Sequence, residues 1–236
     1  MSAIYKREMR YFFTSPVGYV FVAIFFAVSA GIFMSLTVQQ GTNASYTSYF
    51  SYVMMLCIVE VPLLTMKLLS EERKMRTDQL ILTAPVSLFG IVTAKFLAAY
   101  TLFGGSFLVA SVIYYIPLAT YGTPDAAIYI GSVIAVLLVG AAFIAVGEFI
   151  SSLTENQFIA AFGTIGVICL LIFAQTINNY INSEFIRRIF SAISVMSRFT
   201  YFSYGLFDWA SLVYYISLTA VFLFLTVRVF ERRRWS

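Results

Sequence analysis

Long apolar runs, joined by short polar segments, set the pattern of this chain. Six runs are long enough to cross a bilayer: 17–38, 49–69, 89–116, 126–150, 158–176 and 210–230. A spanning helix needs about 20 mostly apolar residues. The runs are continuous rather than alternating, so they predict helices and not the strands of a barrel. The even number puts both termini on one side.

Three joining segments carry a pattern of their own. In residues 2–13, a helical period places Ile4, Tyr5, Met9, Phe12 and Phe13 on one face and Lys6, Arg7 and Arg10 on the other, with Glu8 out of place. Residues 1–15 therefore read as an amphipathic helix lying in the membrane interface, or as a basic flank that sets topology. Pro16 ends this helix before the first span. Residues 177–209 are too many for a turn and too apolar for a solvated loop. Ile177, Tyr180, Ile181, Phe185, Ile189 and Ile193 recur at helical spacing, interrupted by Arg187 and Arg188. They predict short re-entrant helices that dip into the outer leaflet before the last span.

The third segment, "SEERKMRTDQLILTAPVS" at 70–87, holds six charged residues. Ser70 is placed to cap a helix. Glu71 and Glu72 sit at the positive end of its dipole, and Glu72 and Arg76 are four residues apart, on one face. Leu80, Ile81 and Leu82 make an apolar end, and Pro85 forces a stop. A loop that only sets topology is the plainer reading. A cap, a dipole match and an apolar end together fit a docking surface better, with charges to orient a soluble partner and apolar groups to be buried in it. The contact set expected is Glu71, Glu72, Arg73, Met75, Arg76 and Leu80, with Pro85 fixing the end.

Composition makes lipid the solvent. Of 236 residues, 61% are hydrophobic and 11% charged, where a soluble domain carries about a quarter charged. The chain reads as one all-α polytopic membrane domain over 1–236. The net charge of +4 is too small and too scattered for nucleic acid. With the termini inside, 12 of the 15 basic residues fall inside and only Arg187, Arg188 and Arg198 outside. This predicts a multi-pass protein of a cytoplasmic membrane with both termini and residues 70–87 cytoplasmic. No small-residue cleavage site follows the first run, so no signal peptide is expected. Cys57 and Cys169 lie in apolar runs and read as small buried hydrophobes.

Candidate chemistry is sparse. The chain contains no histidine, the commonest general base and zinc ligand. It has no phosphate-cradling G-x-x-x-x-G-K-[ST] loop, no G-x-S-x-G and no H-E-x-x-H. Two carboxylates fall inside spans. Glu60, near mid-span, must face protein or water or be protonated. It reads as a hydrogen-bonded packing group beside Pro62, or as a polar group on a translocation path. Glu148 lies close enough to a span end to be solvated. Lys67 and Lys95 are expected to snorkel to the headgroups. Gly104 and Gly105 read as loosening the third span or admitting a close neighbour, and Gly140, Gly147, Gly163 and Gly166 as marking faces where helices approach closely, with plain core packing the alternative for each.

The stretch "LLTMKLLSEERKMRTDQLILTAPVSLFGIVTAKFLAAY" resembles the second-helix, coupling-helix and third-helix segment of ABC-2 type transporter permeases. Within them it is similar to the gliding-motility and nitrous-oxide-reductase-maturation group. Glu72, Arg73, Thr77, Leu80, Leu82, Pro85, Lys95 and Phe96 fit that group's order, while Arg76, Gln79 and Ala94 depart from it. The stretches "YKREMRYFFTSPVGYVFVAIFF" and "YYISLTAVFLFLTVRVFERRRW" resemble the same group. The resemblance implies six helices, a cytoplasmic coupling helix seated in a cleft of a soluble ATPase, and re-entrant outer helices. It also implies a complex of two permease chains, alike or different, with two ATPase chains that bind ATP and magnesium. The chain itself would then hold no cofactor and be no enzyme. The function expected is the permease of an ATP-driven exporter, with an accessory membrane or external subunit as a further partner. Three alternatives stand beside it. A stand-alone secondary transporter or channel would want paired intramembrane charges or inverted repeats. A lipid-modifying enzyme would want a nucleophile or a metal motif. A force-transmitting subunit that moves no solute would want an external domain.

Overall fold

Ser15 and Pro16 divide the first two helices. Helix α1 (Ser2–Thr14) stops at Ser15, whose backbone is extended, and Pro16 opens α2 (Pro16–Phe33), where the N–H it lacks would have had no helical partner. The computed structural model describes residues 2–38, 46–75, 87–121, 124–178, 180–181 and 183–234. A π-helical turn, Met34–Val38, prolongs α2. Then follow α3 (Tyr46–Thr65), α4 (Ser70–Lys74), α5 (Leu88–Tyr121), α6 (Ala126–Leu153), α7 (Gln157–Asn178), α8 (Glu184–Ile193), α9 (Val195–Ser203) and α10 (Trp209–Arg234). Among the described residues there is no strand.

Six helices are long and apolar enough to cross a membrane: α2 with its π turn, α3, α5, α6, α7 and α10. They coincide with the six apolar runs. The third is longer than its run, because α5 continues through Pro117 to Tyr121. Between α7 and α10 stand two short helices, α8 and α9, where the spacing predicts short helices. Ser194 joins them and its Oγ caps α9, accepting from the Ser197 N–H at 3.4 Å. Tyr214 and Tyr215 pin the joint to α10, donating to the carbonyls of Ile193 at 2.7 Å and Val195 at 2.9 Å.

Helix α6 is the axis of the bundle. Its sequence is apolar on every side, the mark of a helix surrounded by others, and it packs against α3, α5, α7, α9 and α10. Two glycines set the closest approaches. A Cβ on Gly140 would collide with the Phe103 ring of α5, and one on Gly147 with the Thr65 side chain of α3. Toward one end the core is aromatic: Phe33 stacks on Tyr114 at 4.7 Å, and Tyr49 stands edge-on to both. At the opposite end the ends of α3 and α6 and the beginnings of α2, α5 and α7 meet, and α1 and α4 lie across them.

Helix α1 differs from its expected pattern in one respect. Ile4, Tyr5 and Met9 are half-buried and Lys6, Arg7 and Arg10 exposed, but the fully buried positions are Glu8 and Phe12, and Phe13 is exposed. Glu8 is thus not misplaced: it lies on the face that meets the bundle. Its reason is a buried lysine on α5.

Candidate functional site

Lys95 lies in the second turn of α5, with its side chain folded inward. The residue is 1% exposed. Its Nζ is 2.8 Å from the Leu68 carbonyl, 2.9 Å from Glu72 Oε1 and 3.2 Å from Glu8 Oε1. The expectation that Lys95 snorkels to the headgroups is therefore wrong. An ammonium has three donors, and all three find acceptors here inside the protein, so nothing draws the chain outward. Arg7 closes the cluster from the exposed side, its Nη2 2.7 Å from Glu8 Oε1 and 2.8 Å from Glu72 Oε1. Two cations and two carboxylates thus join α1, α4 and α5. Partial burial lowers the Arg7 pKa, but its bonds and charge interactions with Glu8 and Glu72 outweigh that, so it stands above the ordinary arginine value.

The remaining charges of α4 reach other elements. Tyr11 donates to Glu71 Oε2 at 3.0 Å. Burial and that bond to an anion push the phenol up to about 12. Arg73 donates to the Leu153 carbonyl at 2.7 Å, where α6 ends, and its Nε lies 3.0 Å from Glu155 Oε1 in the following turn. A hollow of about 250 Å³ remains between α1, α4 and the start of α5.

The start of α4 is capped, though not by Ser70. Leu69 occupies the N-cap position and Ser70 is the first helical residue, its hydroxyl turned back to the Met66 carbonyl. The oxygen that serves the free N–H groups is Ser151 Oγ of α6, which accepts from Leu69 at 3.2 Å and Ser70 at 3.1 Å. Ser70 is fully buried against α6, so the cap comes from the neighbour it packs on. Glu71 and Glu72 do occupy the first turn, matching the dipole.

Glu71, Glu72 and Arg73 are half-buried and engaged with this chain, whereas Lys74 is exposed and Met75 is 67% exposed. The rest of the expected contact set, Arg76, Leu80 and Pro85, lies outside the described residues, and with it the Glu72–Arg76 pair. Glu60 stands apart from the cluster on α3. It is 1% exposed, it accepts no hydrogen bond among the described residues, and its Oε1 is wholly buried.

Glu148 departs furthest from expectation. It is 0% exposed rather than solvated, and neither carboxylate oxygen has a hydrogen-bond partner among the described residues. It lies within electrostatic range of Lys95 and Glu8. Nearness to a span end means solvation only for an outer helix, and α6 is enclosed to its last turn. The all-round apolarity of 126–150 was the signal for that. Glu8, Lys95, Ser151 and Glu155 were also missed as site residues; Glu8 was marked by its break in the α1 pattern and Lys95 by its place in the resembling stretch. The chain matches no protein-family model and no curated protein.

Proposed function

We propose that this chain is the membrane-spanning permease of an ATP-binding cassette transporter, an exporter driven by a separate ATPase through residues 70–87. The observation that supports this reading is the way α4 is fastened. Four of its five residues, Ser70, Glu71, Glu72 and Arg73, hold four separate elements: α1 through Arg7 and Tyr11, the third span through Lys95, the end of the fourth span through Ser151 and Leu153, and the turn after it through Glu155. A push on α4 reaches two spans and the interfacial helix at once. Charge-assisted bonds to buried groups carry such a displacement without stretching far, because each is short and directional. A loop that only set topology would need its charges but not these bonds.

Association and coupling then belong to different residues. The exposed Lys74 and Met75 meet the ATPase, and Glu72 and Arg73, which face inward, pass the movement on. ATP and magnesium are held by the partner, and two permease chains enclose the path.

The test uses the full chain co-expressed with the ATPase encoded nearest to it. Met75→Asp should abolish co-purification of the ATPase and leave the fold intact, since it touches no bond of the cluster. Arg73→Gln should retain the ATPase but lose the stimulation of its turnover by the membrane subunit. Full association in the first and full stimulation in the second would sink the coupling role of α4. ATP hydrolysis by the purified chain alone would sink the division of labour.

A further inference from the structure

At the end of the bundle opposite the charge cluster, a hollow of about 460 Å³ lies between α8, α9 and the start of α10. That is the size of a site for a small polar group. Two opposite charges line it, Arg198 of α9 and Asp208 just before α10, together with the hydroxyl-bearing Ser191, Ser197 and Tyr201.

Arg198 is placed but not satisfied. Its guanidinium carbon lies 4.2 Å from the centre of the Tyr214 ring, and that ring is itself held by its bond to the Ile193 carbonyl. Stacking fixes the guanidinium plane and leaves its edge free to grip an oxyanion with two parallel bonds. Among the described residues Arg198 makes no hydrogen bond and no salt bridge, and its Nε is buried without an acceptor. An arginine cannot shed its charge by losing its proton, so Arg198, which lines the hollow, keeps the donors of its terminal nitrogens for an acceptor from outside the chain.

Asp208 does not supply that acceptor. Its oxygens take the Ala210 N–H at 3.2 Å, the Ser211 N–H at 2.9 Å and the Ser211 hydroxyl at 2.5 Å. The Ser211 hydroxyl first, and the amides of α10 with it, hold its carboxyl below the usual aspartate range. A carboxylate has roughly four acceptor sites, so room remains for one more donor. The hollow therefore presents a positive and a negative group side by side, unbonded to each other. A plain anion would be opposed by Asp208 and a plain cation by Arg198. A group that carries both charges suits both.

The neighbourhood indicates where such a group comes from. Tyr201, Tyr204, Phe207 and Trp209 are all exposed around this hollow's own segments, and exposed tyrosine and tryptophan at the ends of spans settle at headgroup depth. We infer that the hollow binds the headgroup of a zwitterionic phospholipid, its phosphate on Arg198 and its primary ammonium on Asp208. A primary ammonium has N–H donors for the free lone pair of Asp208 and for the serine hydroxyls, and a quaternary one has none.

The experiment places the full chain in nanodiscs of mixed phosphatidylethanolamine, phosphatidylglycerol and phosphatidylcholine, and counts retained lipid by native mass spectrometry. Phosphatidylethanolamine should be retained over the other two by about tenfold, the scale of one desolvated charge-assisted bond. Arg198→Gln should remove that preference, and Arg198→Lys, which keeps the charge but not the stacked fork, should weaken it. Asp208→Asn, which keeps the cap on α10, should turn the preference toward phosphatidylglycerol. Equal retention of the three lipids by the native chain would overturn the inference, as would Arg198→Gln and Asp208→Asn both leaving the preference unchanged. Displacement of the lipid by soluble phosphoethanolamine at matched concentration would assign the site to a free ligand and overturn the lipid.

Discussion

Glu72 Oε1 lies 2.9 Å from Lys95 Nζ and 2.8 Å from Arg7 Nη2, so one oxygen on a five-residue helix ties α1 to α5. Lys95 is the inner member of this cluster and is buried. Its loss would bring Glu8 and Glu72 together without the ammonium between them, with Glu148 close by. Breaking a buried ion pair from one side costs about 3–5 kcal/mol. Lys95→Met should lower stability by that order, read as denaturant-induced unfolding in detergent micelles. Adding Glu8→Gln should recover part of the loss, because it removes one of the two carboxylates that Lys95 balanced. Unfolding of Lys95→Met at the native midpoint would show that the cluster contributes nothing.

Orientation rests on the excess of basic residues at the end where α1 and α4 lie. Cysteines placed at Thr42, Thr123 and Asn182 should react with impermeant thiol reagents added outside intact cells. Cysteines at Ser2, Thr77, Asn156 and Ser236 should react only after the membrane is opened. Labelling of Thr77→Cys from outside would reverse the bundle and remove any contact between residues 70–87 and a cytoplasmic partner.

Tyr11 supplies a pH test of the α1–α4 contact. Its phenol is pushed up to about 12 by burial and by Glu71, above the ordinary tyrosine value of about 10. A pKa raised in the folded state favours folding while the group is protonated. The contribution is therefore whole below pH ~10 and disappears as pH rises from ~10 to ~12. The phenolate absorbance lost in Tyr11→Phe should titrate near the upper limit, and Glu71→Gln should bring it back toward the ordinary value. An unchanged titration in Glu71→Gln would show that the bond in the structure does not persist in solution.

The spans were legible because a bilayer imposes length and apolarity on each helix separately, so every run reports itself without its neighbours. The breaks at Pro16 and the pair of helices after 177 were legible for the same local reason. The charge cluster was not, since Glu8, Glu72 and Lys95 come from three distant stretches and only packing brings them together. Lys95 and Glu148 were misread alike. Each lies near a span end, where sequence suggests water, but their surroundings are decided by which helices stand around them. Ser151 as the cap of α4 carries no local signal at all, because a serine in an apolar helix differs little from any other.

Glu60 yields the sharpest separation of fold from function. An acid buried in α3 without a hydrogen-bond partner costs stability rather than adding it. Had it been a hydrogen-bonded packing group, Glu60→Leu would orphan its partner and destabilise the chain. With no partner among the described residues to orphan, Glu60→Leu should instead raise stability by about 1–3 kcal/mol, the cost of an uncompensated buried polar group in mutational series. Glu60→Gln keeps the polarity and should change little. On the permease reading, both variants should assemble with the ATPase and both should lose the response of its turnover to transported substrate. Unfolding and turnover measured on the same preparations decide the matter. A stabilised Glu60→Leu chain with an intact response would remove Glu60 from any translocation path. A destabilised one would mean that Glu60 has a partner, and that it belongs to the packing of α3 beside Pro62.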